Sequence, residues 1–350
     1  MRVVTVHPGP DWSVADCHRG WSRAFKALGC QVVEFDTGRR LEFYEAAKFE
    51  RDDGALVPAV ATDADRAKVV SKHLESVLYE VWPDIVFVTY GACIDPATLQ
   101  LARERGHVVV LYHTESPYED DSRLKWAESG VADIWLINDP TNLEKWRQAC
   151  PTTWYLPHSY DPDIHRPGKV ARKTHDVTFV GSSFPSRVEW FTRFVETAPD
   201  LNLLLAGQWQ TVGPGHPLEQ ACPHSFAECL DNVDVPPLYW QSKVGLNIYR
   251  RESERPDLAD GWSMGPREVE MAACGLFHLT EERGENRQVL PMLPTFESPE
   301  DAAEQARWWA RHPDARDRTA EQARAAVGAW TFRNRAAQVL RFIYRLSAAA

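Results

Sequence analysis

Two loops in the first half of the chain gather groups that can move a proton. His7-Pro8-Gly9-Pro10-Asp11-Trp12 follows the apolar run VVTV at 3–6. There His7 or Asp11 could take a proton from an acceptor hydroxyl, and Gly9 lets a substrate approach the backbone. His113-Thr114-Glu115-Ser116-Pro117-Tyr118-Glu119-Asp120-Asp121 follows the run VVVLY at 108–112 and is dense in groups that bind hydroxyls or act as a base. His113 and Glu115 are the stronger candidates. For each histidine a satisfied structural role explains the residue equally well, since its ring is as useful inside a fold as in a site. Both loops follow buried-strand patterns, and in open α/β sheets ligands sit beyond the carboxyl ends of the strands.

A metal site is the next chemistry to weigh. His216, Cys222, His224 and Cys229 lie close together and all could ligate zinc, but no Cys-x2-Cys pair occurs among them and Pro214, Pro217 and Pro223 make the stretch read as a loop. Asp161-Pro162-Asp163 has the form of an Asp-x-Asp metal motif, yet Pro162 makes a turn the better explanation. No metal is expected.

The elements that must position these groups alternate between strand and helix. VVTV is followed by a helix holding Trp21, Phe25 and Leu28, then by QVVEF at 31–35. A helical face of Val69, Val70, Leu74, Val77, Leu78 and Val81 leads into IVFV at 85–88, and VVVLY and IWLI at 134–137 continue the rhythm of a parallel sheet. LPHSYDPDIHRPGKV at 156–170 has neither period and reads as a linker. The alternation restarts with VTFVG at 177–181, a helix from 186 to 197, LNLLLAG at 201–207, VGLNIY at 244–249, a helix near 266–274 and LFHLT at 276–280. Three helical stretches close the chain, near 299–311, 315–328 and 331–346. This yields an α/β protein with domains at 1–165 and 166–330, and a helix at 331–350 packing back on the first.

Bulk properties narrow the function classes. A chain of 350 residues exceeds the size at which one hydrophobic core stops growing, so two domains are expected. The net charge of −11 offers no generic basic footprint for nucleic acid, and seven scattered cysteines do not form a disulfide framework. No window has the apolar length of a membrane span, and a cytoplasmic protein is the expectation. Fourteen tryptophans suit a carbohydrate site, although core packing accounts for them as well. No Gly-x-Gly-x-x-Gly follows a strand, which argues against an NAD-type oxidoreductase.

Five blocks in the second half carry a resemblance: FVGSSFPSRVEWF, AGQW, PPLYWQSKVGLNIYR, GPREVEMAACGLFHLTE and WTFRNRAAQVL. In their order and spacing they resemble the glycosyltransferase-like CgeB family of spore-maturation proteins, over roughly 175–345. WPDIVFV, YHTESPYED and LPHSYDP resemble its partner domain more loosely. The resemblance implies GT-B architecture, with two facing Rossmann-like domains and a nucleotide sugar held mainly by the second. It implies a metal-independent transfer of a sugar from a nucleoside-diphosphate donor to an acceptor, with no cofactor.

The donor-side residues it implies are Gly181, Ser182, Ser183, Arg187, Asn247, Arg267, Glu270 and Gly275. Backbone N–H groups near Gly181 to Ser183, at the start of a helix, could meet the diphosphate, although an ordinary turn with Ser as N-cap accounts for the same residues. Arg267 could neutralise the leaving group, or form a surface ion pair with Glu268 or Glu270. Glu270 matches the glutamate that accepts hydrogen bonds from the donor ribose in related enzymes. Eight residues earlier, where many of those enzymes hold a second glutamate, stands Trp262. Two other readings remain: a phage-type enzyme that glycosylates a modified DNA base, and a non-catalytic nucleotide- or carbohydrate-binding protein. The acceptor could be a glycan, a small molecule, a protein or modified nucleic acid.

Overall fold

The computed structural model describes residues 1–9, 14–46, 48–58, 62–223 and 229–349. It divides into two compact units, Met1–Leu156 with Phe332–Ala350, and Pro157–Thr331.

The first unit runs β1 (Arg2–Val6), α1 (Ala15–Ala27), β2 (Gln31–Phe35), α2 (Thr37–Glu45), β3 (Lys48–Glu50), β4 (Leu56–Pro58), α3 (Asp63–Val81), β5 (Ile85–Thr89), α4 (Pro96–Glu104), β6 (Val108–His113), α5 (Asp120–Glu128), β7 (Ile134–Ile137), α6 (Leu143–Ala149) and β8 (Thr153–Tyr155). Six of these strands form a parallel sheet in the order β2-β1-β5-β6-β7-β8, while β3 and β4 pair as an antiparallel hairpin. The sheet is covered on both faces. Val4 and Val6 pack into one apolar cluster with Val86, Val88 and Trp135, whereas Val3 packs into another with Trp21, Phe25 and Phe87, as the two-residue period of a strand dictates. Side-chain caps set the helix starts: Asp36 accepts from the Arg39 N–H, Thr62 from Asp65 and Asp95 from Ala97. The Thr62 cap starts α3 at Asp63, six residues before the apolar face begins at Val69.

The second unit holds β9 (His175–Val180), α7 (Pro185–Thr197), β10 (Leu203–Ala206), α8 (Val235–Trp240), β11 (Ser242–Asn247), α9 (Pro266–Ala273), β12 (His278–Thr280), α10 (Gly284–Val289), α11 (Pro299–Arg311) and α12 (Pro313–Ala326). Its sheet is also parallel, in the order β10-β9-β11-β12. The order reverses between β9 and β11, and such a switch point leaves a crevice at the carboxyl ends of the strands. Small residues allow close packing here: Ala272 and Ala273 are buried, and a Cβ on Gly245 of β11 would stand 2.4 Å from the Met271 sulfur.

One boundary differs from the sequence expectation. Residues 157–165 belong to the second unit, because Tyr160 pairs with Thr331 and its N–H donates to the Trp330 carbonyl. The last helix, α13 (Phe332–Ala349), belongs to the first unit, where Phe332, Ala336, Val339 and Ile343 are buried in the cluster that holds Trp21 and Phe25 of α1.

Helix α13 reaches α1 at a glycine. A Cβ on Gly20 would fall 2.4 Å from two carbons of the Phe332 ring and 2.9 Å from its Cγ, a part of the side chain that cannot swing away. Alanine normally gains up to about 1 kcal/mol over glycine inside a helix, but overpacking costs about 1–3 kcal/mol. Gly20→Ala is therefore expected to destabilise the first unit, read as a lowered denaturation midpoint. A raised midpoint would show that α13 yields freely.

Candidate functional site

The candidate residues of the second unit gather around the start of α9. Glu268 is fully buried and accepts hydrogen bonds from the Gly265 N–H at 2.9 Å, the Thr280 hydroxyl at 2.9 Å, Asn286 Nδ2 at 3.2 Å and the Tyr249 hydroxyl. Burial pushes its carboxyl up, against the pull of these four donors. The bond to Gly265 places Glu268 at the third position of a capping box, so this residue closes the helix N-terminus with its own side chain.

Arg267 points to the switch point between β9 and β11. Its Nε donates to the Val180 carbonyl and its Nη1 to Asn247 Oδ1 at 2.8 Å, while the guanidinium lies over the Phe179 ring at 4.1 Å. A Cβ on Gly181 would meet Nη2 at 2.3 Å, which accounts for the glycine. The surface ion pair considered for Arg267 is not formed with either glutamate, since its bonds run to the two strand ends. Asn247 is taken up in the same way, with Nδ2 donating to the Thr280 hydroxyl at 3.2 Å.

The turn after β9 departs from the expected anion cradle. The N–H of Gly181 donates to the Ala206 carbonyl and that of Ser183 to Gln208, so neither is free to meet a diphosphate. The residue at the N-cap of α7 is Phe184, not a serine, and the Ser186 N–H donates to the Glu252 carboxylate at 3.0 Å with its hydroxyl at 3.2 Å. An acid from a distant loop thus accepts at the start of α7, beyond the amides of Gly181 to Ser183 that were expected to meet a diphosphate. Arg187 is likewise occupied: Nε donates to the Ile248 carbonyl and Nη1 to that of Ser182. Gly275 ends α9 with φ at +75°, a conformation that glycine adopts without strain, so turn geometry accounts for it.

Glu270 differs from all of these. Two positions along a helix rotate a side chain by about 200°, so it leaves the face that buries Glu268. Its side chain keeps 15% exposure. Asn232 Nδ2 donates to Oε1 at 3.2 Å and His165 Nε2 stands 3.9 Å from the same oxygen. Nothing in the sequence patterns pointed to Asn232 or His165, because both come from turns distant in sequence. Trp262 packs its Nε1 edge where a Cβ on Gly284 would be 1.9 Å away, which makes the glycine obligatory.

In the first unit His113 is enclosed. It ends β6 fully buried, with Nε2 3.4 Å from Asp120 Oδ1 and its ring 5.5 Å from that of Trp146, and burial pulls its pKa down. This is the structural alternative weighed for it, and it removes His113 from direct contact with an acceptor bound at the surface of this unit. Glu115 is half-buried. His7 is half-buried too, accepting from the Gly9 N–H at 3.4 Å and meeting the His18 ring edge-on. Asp11 lies outside the described residues, as does His224 of the candidate zinc group. Among the described residues no three His, Cys, Asp or Glu side chains gather to hold a metal. Asp161 instead accepts from the Asp163 N–H at 2.9 Å, the turn that Pro162 suggested.

Residues 186–341 match the family described as Glycosyl transferase-like. No curated protein matches the chain in sequence. Among solved structures, sucrose-phosphate synthase from Thermosynechococcus elongatus is similar with a TM-score of 0.69 and 14% identity, over 100% of both chains. An α-glucosyltransferase in complex with UDP and a 13-mer DNA containing a HMU base has a TM-score of 0.64 at 12% identity, covering 95% of this chain and 96% of that one. HepE from Anabaena in complex with UDP has a TM-score of 0.63 at 10% identity, covering 98% and 99%. The fold is that of the GT-B glycosyltransferases. Among the described residues no helix is long and apolar enough to cross a membrane.

The buried histidines make a pH prediction. Burial lowers His18, His158 and His278 from 6.5 to about 4. The unfolded chain takes up protons near the ordinary histidine value while the folded chain resists, so stability is full above that value and falls as the pH drops through the window between the two. Each histidine is expected to remove about 1.4 kcal/mol per pH unit there. Calorimetric melts should shift steadily downward between about pH 6.5 and about pH 5, and a flat melting temperature across that range would contradict the assignment.

Proposed function

We propose that this chain, a glycosyltransferase by its domain and its GT-B fold, takes a nucleoside-diphosphate sugar as donor and that Glu270 accepts hydrogen bonds from the donor ribose. The observation that carries this reading is the division of labour in α9. Glu268 is buried and saturated by protein donors, whereas Glu270, about 200° around the helix, keeps 15% side-chain exposure and, among the described residues, accepts a single hydrogen bond, from Asn232. A carboxylate can accept several hydrogen bonds, so a hydroxyl pair has room on it.

Arg267 supplies positive charge at the switch point, held in place by Val180 and Asn247 with Nη2 lying against Gly181. In the proposed reaction its field stabilises the departing diphosphate, an effect that is strongest when the charge is fixed before the substrate arrives. The fold positions it without mobile parts, through two strand ends and one aromatic face. On the acceptor side the reading rests on Glu115 and His7, the two half-buried candidates at the carboxyl ends of strands in the first unit. A deprotonating group there would raise the nucleophilicity of an acceptor hydroxyl. The similarity to an α-glucosyltransferase in complex with a DNA containing a HMU base keeps modified DNA among the acceptors to be tried, against the net charge of −11.

The test starts with thermal melts in the presence of UDP, GDP, ADP and their glucose conjugates, where a ligand at one hundred times its dissociation constant adds about 2.7 kcal/mol. Calorimetric titration of the stabilising nucleotide then compares two neighbouring variants. Glu270→Gln is expected to weaken binding roughly ten- to a hundredfold and to leave the melt unchanged, because hydrogen bonds to a charged acceptor contribute about 1.5–3 kcal/mol. Glu268→Gln is expected to do the reverse, lowering the melt while the folded protein keeps its affinity. Unchanged affinity in Glu270→Gln with a lowered melting temperature would end the ribose assignment.

A further inference from the structure

Glu270 does not stand alone: two side chains from separate turns meet at its carboxylate. Asn232 lies in the turn that leads into α8, where Asp231 Oδ1 accepts from the Val233 N–H at 3.0 Å and the Asp231 carbonyl from Asp234 at 2.9 Å. His165 ends the turn that Asp161 caps, with its N–H donating to the Asp161 carbonyl at 2.7 Å and its ring edge-on to Tyr160. His165 Nε2 is 3.1 Å from Asn232 Oδ1, and Asn232 Nδ2 is 3.2 Å from Glu270 Oε1.

The direction of this chain of bonds follows from the groups themselves. An ionised carboxylate only accepts, so the amide must turn its NH2 to Glu270. That leaves its carbonyl oxygen toward the imidazole, and a carbonyl only accepts, so Nε2 must carry the proton. The histidine side chain is almost fully buried, with 1% exposure, and so cannot turn to water for another partner. Among the described residues His165 Nδ1 has no hydrogen-bond partner, so the ring is held from one side by the asparagine.

We infer that His165 and Asn232 are positioning residues, a relay that fixes the Asn232 amide and through it presents the Glu270 carboxylate in the orientation that accepts the ribose hydroxyls. This rests on the ribose reading of Glu270 and extends it to two residues that would touch no substrate. Asn232 occupies one lone pair of Oε1 and stops the carboxylate from rotating. The remaining lone pairs keep a fixed direction, which is what distinguishes a hydroxyl at the right place from its absence. Without the imidazole, the amide could flip and turn its oxygen against the carboxylate, two acceptors facing each other.

A readout specific to this role is the discrimination between ribose and deoxyribose, which mere loss of stability would not change. Calorimetric titrations of UDP and of 2′-deoxyUDP into the full chain give that ratio for the wild type, Glu270→Gln, Asn232→Ala and His165→Phe. GDP and 2′-deoxyGDP replace them if the melts select guanine. His165→Phe keeps the ring against Tyr160 and removes the donor, and Asn232→Ala removes the link itself. The wild type is expected to prefer the ribonucleotide by about tenfold or more, since one hydrogen bond to a charged group is at stake. Asn232→Ala and Glu270→Gln should each compress that preference to about threefold or less, with His165→Phe between them and the wild type. If Glu270→Gln loses the preference while Asn232→Ala and His165→Phe keep it in full, the relay is overturned and the ribose reading survives. If Glu270→Gln itself keeps the preference, the ribose reading fails and the relay falls with it.

Discussion

The second unit depends on one buried carboxylate. Glu268 has no exposure and four protein donors, drawn from the residue before α9, the stretch after β11, the end of β12 and the first turn of α10. A buried charge with fewer partners would be a large cost, whereas one bonded on every side ties the segments that serve it into a single arrangement. Tyr249 and Asn286 are themselves bonded to each other at 3.1 Å, so the donors form a network and not four independent contacts.

The chemistry follows from what Glu268 leaves to its neighbours. With α9 fixed at its first turn, Arg267 is directed to the switch point, where the Val180 carbonyl and Asn247 hold its charge beside Gly181. Glu270, turned away from the network, is the acid of this helix that keeps some exposure, 15% of its side chain. A helix that begins at a glycine and proline thus separates a structural acid, a fixed cation and an accessible acid within four residues. Glu252 and Arg187 perform the corresponding service at α7, joining the helix start to the loop after β11.

Much of the architecture was legible in the sequence because parallel strands buried on both faces read as unbroken apolar runs, as IVFV, VVVLY and IWLI do. The short helices were harder. In α5 the inner face carries Asp120 and Arg123 beside Leu124 and Ala127, so no apolar period marks it. The amides after β9 illustrate a different limit: the turn was placed correctly, but its partners Ala206, Gln208 and Glu252 come from elsewhere in the chain, and no local pattern announces them. His113 shows a related limit, since Asp120 and Trp146 enclose it only once α5 and α6 are in place. The residue types around Glu270 were legible only through a family resemblance, and its partners Asn232 and His165 not at all.

The claim that the donor sits at the carboxyl ends of the β9 and β11 strands is tested most directly by hydrogen–deuterium exchange of the full chain with and without UDP-glucose, or the nucleotide sugar that the melts select. Slowed exchange is expected in 230–234 and 262–272, where Asn232, Arg267 and Glu270 stand, together with the turn at 181–186. Protection confined to residues before 157, with these three segments unchanged, would contradict it.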